Sequence, residues 1–283
     1  MNSYIDCHCH ALWDVDDGIK YKKDTLILLE TAHQNKINRI FMTPHMNVKG
    51  KYMPSLDQVQ FKLQQLKLMI AQHQLNIEVK LGQELLVDAF GLEYIQTKQH
   101  RPYQDTDYVL CEFSVFGFNP SLIDQAIYEL SLHKQTLILA HPERYFETPE
   151  AAIRTCRHWI KQGAFIQINR TSLLKEAHSH LRRIACALIE ANCVHLIASD
   201  AHRAIGIRIC RLDDSYSFIS QVFSTDCAKR LLIDNPNHLW FNETLEHTSL
   251  SESSYAKVLY HTKAWVQTKL KSQSMTKLES KKS

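Results

Sequence analysis

Nine side chains able to bind hard metal ions stand in short clusters, most of them at the end of an apolar, strand-like run: His8, His10, Asp17, His45, Glu84, Glu112, His141, Asp200 and His202. In Asp6-Cys7-His8-Cys9-His10, alternation along a strand turns both imidazoles one way and both thiols the other. The imidazoles can then share an ion while the thiols pack, and Asp6, on the histidine side, is placed to orient a ligand imidazole. Asp14-Val15-Asp16-Asp17-Gly18 follows, a concentration of carboxylates that a cation or solvent must relieve. Thr43-Pro44-His45 and Ala140-His141-Pro142-Glu143-Arg144 each set a histidine directly after a strand and beside proline, and Ser199-Asp200-Ala201-His202 repeats the two-residue spacing of the first motif. Glu84 and Glu112 end two further apolar runs, where an unpaired carboxylate is costly.

Each motif alone has an ordinary reading: a satisfied core histidine, an Asx-rich turn, a cap or a salt bridge. A polynuclear metal site explains all of them at once. Oxygen and imidazole ligands without cysteine suit Mn, Fe, Zn or Mg, and the set is large enough for two or three divalent ions that share bridging carboxylates. Such a centre brings the pKa of a bridging water towards neutrality and stabilises charge on a transferring phosphoryl group, so the expected reaction is hydrolysis of a phosphate ester. Arg144, three residues after His141, can clamp phosphate oxygens in bidentate fashion; its ordinary alternative is a surface pair with Glu143 or Glu147.

The elements that must position these groups follow from the apolar pattern. Strands are expected at Tyr4 to Cys7, Arg39 to Thr43, Ile77 to Leu81, Tyr108 to Cys111, Thr136 to Ala140, Phe165 to Ile168 and Val194 to Ala198, mostly without clean alternation, as strands buried on both faces should be. Helical spacing lies between them: Leu26 to Gln34, Leu56 to Gln74, Pro120 to His133 after Asn119, and Ala151 to Lys161 after Thr148-Pro149. Leu173, Leu174, Ala177, Leu181, Ile184, Ala185 and Leu188 predict one further helix after Asn169. This α/β alternation favours a parallel barrel or a doubly wound sheet, and a barrel most readily brings groups from many strands to one mouth.

Composition narrows the function. The 283 residues carry a net charge of +3, and the stretch from Lys271 to Ser283, with four Lys and one Glu, accounts for all of it. A neutral body argues against a nucleic-acid surface. The eight cysteines form no C-x-x-C pair and fit reduced, packed thiols; with no signal-like amino terminus and no long apolar run, the expectation is a soluble cytoplasmic protein without membrane insertion. The seven glycines are isolated, so no phosphate-cradling glycine loop is present. Residues 1–242 read as one domain. Residues 243–283 read as an extension in which Tyr255, Val258, Leu259, Trp265, Val266 and Leu270 could form an amphipathic helix before a disordered Lys/Ser-rich end.

Taken in order, Asp6-x-His8-x-His10, Asp16-Asp17-Gly18, Thr43-Pro44-His45, Gly82-Gln83-Glu84, Glu112-Phe113, His141-Pro142-Glu143-Arg144 and Ser199-Asp200-Ala201-His202 resemble the polymerase and histidinol phosphatase (PHP) superfamily. The pattern is most similar to its bacterial metal-dependent tyrosine-protein phosphatases of the CpsB/CapC type, found in capsule and exopolysaccharide operons. The resemblance spans roughly residues 4 to 242. It implies a distorted (β/α)7 TIM-like PHP barrel, a trinuclear and commonly manganese-dependent centre built from all nine positions above, and a phosphate-binding role for Arg144. It further implies action on the tyrosine-rich tail of a bacterial tyrosine autokinase that controls polysaccharide export. One departure stands out. The family's second arginine usually lies five residues after the final histidine, where this chain has Ile207; Arg208 is one residue late, Arg203 is early, and Arg170 lies after the sixth strand. Arg208 is taken as the second clamp, with Arg203 and Arg170 as alternatives. No cysteine is followed six positions later by arginine, so a cysteine phosphatase loop is absent. The alternatives are a small-molecule phosphomonoesterase such as a histidinol-phosphatase, using the same metal chemistry, and a non-catalytic metal-stabilised module that binds a kinase or polymerase. The sequence leaves the oligomeric state open.

Overall fold

The apolar runs form parallel strands with both faces covered, as their lack of alternation requires. A computed structural model describes residues 3–47 and 52–247. In chain order the strands are β1 (Tyr4–Cys9), β2 (Ile37–Met42), β3 (His45–Met46), β4 (Glu78–Leu81), β5 (Glu84–Leu86), β6 (Tyr108–Glu112), β7 (Thr136–Ala140), β8 (Phe165–Asn169) and β9 (Leu196–Ala198). They pair as two parallel sheets, β1-β2-β4 and β3-β5-β6-β7-β8-β9.

Two of the expected strands form and are then extended by short strands that the sequence did not show. Pro44, which has no N–H, and Gly82-Gln83 kink the chain, so that β3 continues β2 and β5 continues β4 into the second sheet. Hydrogen bonds from Gly82 N to Met42 O (2.7 Å) and from Glu84 N to Pro44 O (3.0 Å) carry the pairing across the kinks. At the other seam the ends of β1 and β9 meet through a single bridge, Cys9 to Ala201, with His10 N donating to Ala201 O and Asp200 N to His8 O, both at 2.9 Å. The result is a ring of seven staves with two seams, the distorted parallel barrel expected from the sequence.

Helices cover the outside: α1 (Lys22–Gln34), α2 (Leu56–Gln72), α3 (Ala89–Gln96), α4 (Pro120–Leu132), α5 (Pro149–Lys161), α6 (Ser179–Glu190), α7 (Asp213–Val222), α8 (Thr225–Lys229) and α9 (Asn235–Trp240). Asn119 and Thr148 cap α4 and α5 as anticipated, accepting from Ser121 N and Ala151 N. The helix expected after Asn169 forms only in its later part, which carries Leu181, Ile184, Ala185 and Leu188. Arg170–Leu173 makes a short 3-10 turn and α6 starts only at Ser179. Side chains hold the turn inward: Asn169 N and Ser172 Oγ both donate to the buried Glu143 carboxylate, at 2.9 and 2.7 Å, and Arg170 pairs with Asp214.

The core has two layers. Ile5, Phe41, Leu110, Ile138, Phe165 and Leu196 fill the barrel, while Ile40, Val109, Leu139, Ile166 and Ile197 face the helices. The base of the barrel is plugged by Leu239 and Trp240 of α9 and by Leu245, beyond the end of the expected domain. Among the described residues no helix is long and apolar enough to cross a membrane. The amphipathic segment expected from Tyr255 to Leu270 and the Lys/Ser-rich end lie outside the described residues.

Candidate metal centre

At the mouth, β1 departs from simple alternation. Its pairing shifts register between Asp6 and Cys9, and Cys7 joins the inner core while Cys9 joins the outer one. The irregularity changes the role expected of Asp6. Instead of orienting a ligand imidazole, its carboxylate accepts from Ser199 N (3.0 Å), Ser199 Oγ and Cys210 Sγ (3.2 Å), which fixes the turn leading to Asp200. His8 and His10 nevertheless reach one common space, with their Nε2 atoms 3.0 Å apart.

All nine positions come together there. Three groups of donor atoms, each within 4.8 Å of one another, share corners: His10, Asp17, His45 and His202; His8, His10, Glu84 and Asp200; and His45, Glu84 and Glu112. His141 Nε2 completes the set at 2.8 Å from Glu84 Oε1. Two of these residues, His141 (φ 38°), directly after β7, and Asp200 (φ 50°), two residues after β9, occupy the left-handed region. Strain of this kind in non-glycine residues gathers at functional sites, where the surrounding structure enforces it. Gly18 closes the loop carrying Asp17, and only glycine fits, since a Cβ there would overlap the His10 carbonyl oxygen.

Hydrogen bonds behind the cluster decide which ring atoms face inward. Asp200 Oδ2 can only accept, so at 2.7 Å it fixes the amide of Asn169 with its nitrogen outward. Asn169 Oδ1 then accepts from Gln167 Nε2 (2.9 Å), which turns Gln167 Oε1 towards His8 Nδ1 (2.9 Å). His8 Nδ1 must therefore donate, so that in the neutral ring the lone pair lies on Nε2. Asp16 Oδ2 does the same for His10 through Nδ1 at 2.8 Å while also accepting from His45 N at 2.9 Å. In the neutral rings two lone pairs thus face each other beside the buried Glu84 Oε2, which lies 3.1 to 3.2 Å from three imidazole nitrogens yet has no hydrogen-bond partner among the described residues. This arrangement calls for a cation, and the oxygen and imidazole donors fit hard divalent ions.

The electrostatics agree. Burial pulls the His8 imidazole down, but the Glu84 and Asp200 carboxylates outweigh it and hold the pKa up at about 9. Burial likewise raises Glu84, yet His8 and His45 keep it well below the ordinary carboxylate range, and hydrogen bonds from His202 and His45 depress Asp17. His202 goes the other way, to about 4, through burial and the nearby His10. The carboxylates that favour a proton on His8 would also favour a divalent cation, which must displace that proton to bind.

The comparisons with known proteins bear directly on this mouth. A model of the capsular polysaccharide synthesis family CpsB/CapC matches residues 4–240. The chain belongs to that family. It is 32% identical to the putative tyrosine-protein phosphatase CapC of Staphylococcus aureus, over 70% of this chain and 76% of that protein. To the tyrosine-protein phosphatase YwqE of Bacillus subtilis it is 30% identical, over 85% and 93% of the two chains. Among solved structures it is similar to the metal-dependent tyrosine phosphatases YwqE and CpsB from Bacillus subtilis and Streptococcus pneumoniae, with a TM-score of 0.78 and 29% identity over 86% of this chain and 97% of the other. A likeness to the phosphotriesterase homology protein of Escherichia coli, with a TM-score of 0.53, 12% identity and 84% and 98% coverage, shows the barrel fold alone.

In this CpsB/CapC chain the four arginines raised by the sequence separate by what they touch. Arg144 is exposed beside the cluster, and its guanidinium has no hydrogen bond or ion pair with another described residue; the pairs with Glu143 or Glu147 are not formed. Burial lowers its pKa, but Asp200, Glu143 and Glu84 raise it further. Arg208 Nη2 lies 2.9 Å from Asp200 Oδ2 and 2.7 Å from His202 Nδ1. Arg203 is committed to the carbonyls of Asp17 (2.7 Å), Gly18 (3.1 Å) and His202 (2.7 Å), and Arg170 is buried against Asp214. Sequence reasoning gave no role to Asp16, Gln167, Asn169 or Ser199. Two amides at alternate positions of the apolar run Phe-Ile-Gln-Ile-Asn were the available signal, because such side chains share one face of a strand.

Proposed function

We propose that this chain is a metal-dependent phosphatase that hydrolyses phosphotyrosine on protein. The observation that carries the reading is the convergence on a single barrel mouth of nine hard donors with the guanidinium of Arg144, unpaired among the described residues. Bound divalent ions, two or three in number and manganese by family resemblance, would supply an activated water at neutral pH and positive charge against the phosphoryl oxygens. His8, His10, Asp17, His45, Glu84, Glu112, His141, Asp200 and His202 would hold them.

The chain's own residues do the rest. Arg144 grips the remaining phosphoryl oxygens in bidentate fashion, Arg208, whose Nη2 is held by Asp200 and His202, adds its other donors, and together they orient the ester for in-line attack. The Gln167–Asn169 amides and Asp16 keep His8 and His10 in the tautomer that presents Nε2. A tyrosinate leaves with a conjugate-acid pKa of ~10, far below that of a serine alkoxide, so little general-acid assistance is required.

Exposed apolar side chains favour a protein substrate. Val115 and Phe116 (92% exposed) lie on the loop after Glu112, and Ile205 (78%) and Ile207 (54%) on the loop after His202. Side chains of this kind beside a catalytic mouth suit contact with a polypeptide better than with a small polar ester. The family resemblance points to the tyrosine-rich tail of a bacterial tyrosine autokinase, in the setting of capsular polysaccharide synthesis. Metal-reconstituted protein assayed on a phosphotyrosine peptide, a phosphoserine peptide and histidinol phosphate tests this. Preference for the phosphotyrosine peptide is expected; preference for histidinol phosphate would move the chain to the small-molecule phosphatases.

A further inference from the structure

The loop that carries Arg208 leaves the mouth at His202 and returns to it. His202 N and Arg203 N both donate to Arg208 O, at 3.0 and 3.1 Å, so residues 203–207 form a closed excursion, with Gly206 at φ +92°. Arg203 ties the outgoing limb to the carbonyls of Asp17 and Gly18 and Ala204 packs against the core, but Ile205 and Ile207 point largely to solvent, so apolar packing does little to hold the returning limb before Arg208.

A buried cation does so instead. Arg170, 4% exposed, donates from Nε and Nη2 to the Asp214 carboxylate at 2.9 and 2.6 Å and from Nη1 to Ile207 O at 2.8 Å. Asp214 is itself fixed in the first turn of α7, where it also accepts from Ser215 N at 2.7 Å. One guanidinium thereby ties the turn after β8, the start of α7 and the peptide immediately before Arg208. Burying an Arg–Asp pair is costly, and stability alone is served as well by apolar side chains. The fork geometry, with one edge on a carboxylate and the third nitrogen on a loop carbonyl, is something only arginine provides.

We propose that Arg170 and Asp214 are positioning residues for phosphate recognition: they hold the Ile207 peptide so that Arg208 faces the metal centre. This rests on the phosphatase reading and on Arg208 as the second phosphate clamp.

The test compares Arg170→Met, Arg170→Lys, Asp214→Asn and Arg208→Ala in the metal-loaded protein, using inorganic phosphate affinity, kcat and KM on p-nitrophenyl phosphate, metal content and Tm. Arg170→Met and Asp214→Asn should lose roughly 10- to 100-fold in kcat/KM and weaken phosphate binding, with metal content unchanged. Arg170→Lys retains the charge beside Asp214 but cannot reach both partners; it should keep Tm near wild type and still lose phosphate affinity. In an Arg208→Ala background, none of these changes should cause a further loss. The strut is overturned if the Arg170 and Asp214 variants bind phosphate like wild type, or if their losses persist undiminished without Arg208. Should Arg170→Met fail to fold, Arg170→Lys and Asp214→Asn decide. A metal-loaded wild type that neither binds phosphate nor hydrolyses the aryl ester would overturn the phosphatase reading, and the strut with it.

Discussion

Buried imidazoles occur at both ends of this barrel, and they are treated in opposite ways. At the mouth, His8 and His10 are backed by acceptors that turn their Nε2 lone pairs towards carboxylates and towards each other. At the base, Ile166 N donates to His195 Nδ1 (3.0 Å), which leaves His195 Nε2 to donate to His247 Nδ1 at 3.1 Å, beside the ring of Phe165. No carboxylate appears among the groups that shift His195. Burial, His247 and Arg230 instead push it well below its ordinary value, whereas Glu84 and Asp200 hold His8 at about 9. The number of buried histidines therefore does not mark a metal site; what lies behind and in front of each ring does.

Four experiments can break or sharpen that contrast. The largest effect is expected from Glu84→Gln, because Glu84 belongs to two of the three donor groups and also contacts His141. Turnover on an aryl phosphate should fall on the order of 10³-fold, with fewer ions bound per chain by elemental analysis. The corresponding insult at the base is Trp240→Ala. Trp240 packs 4.8 Å from Phe41 and carries the Lys80 ammonium over its ring. Its loss should cost about 3–5 kcal/mol in denaturant unfolding while leaving turnover per folded molecule unchanged. Equal damage to turnover would mean that the two ends are not separable.

A smaller effect tests the layer behind the ligands. Gln167→Leu removes the acceptor that fixes His8 and should weaken metal affinity about 10- to 100-fold, read by competition with a chelating dye. Unchanged affinity would show that the tautomer of His8 is set elsewhere. The smallest effect concerns pH. His195 has a folded pKa well below 6.5 and an unfolded pKa near 6.5, so the unfolded chain binds the proton first. Its contribution to stability is intact above that pH, falls as pH drops below it, and levels off beneath the folded pKa. His195→Gln should lessen the acid loss seen in wild-type denaturation curves between pH ~7.5 and ~5; identical curves would remove His195 from the account.

The sequence made the ligands legible because each is a chemically conspicuous residue at the end of an apolar run. It made the seven staves legible for the same reason, since strands buried on both faces leave continuous apolar text. β3 and β5 escaped because segments of two and three residues have no periodicity, and they exist only because Pro44 and Gly82 divert the chain. The apolar spacing after Asn169 looked like one helix, but the buried contacts of Arg170 and Ser172 override local periodicity there. Gln167 and Asn169 were passed over because uncharged amides announce no chemistry until the groups on either side of them are known. The choice among Arg208, Arg203 and Arg170 depended on contacts across the barrel mouth that spacing along the chain does not encode.

The most direct test of the central claim, that the nine mouth residues form one catalytic metal centre, is to strip the protein with a chelator and titrate manganese back. Bound metal and phosphate release from a phosphotyrosine peptide should be followed together. Activity should vanish on stripping and return as two to three ions bind per chain; full activity in protein shown by elemental analysis to be metal-free would contradict it.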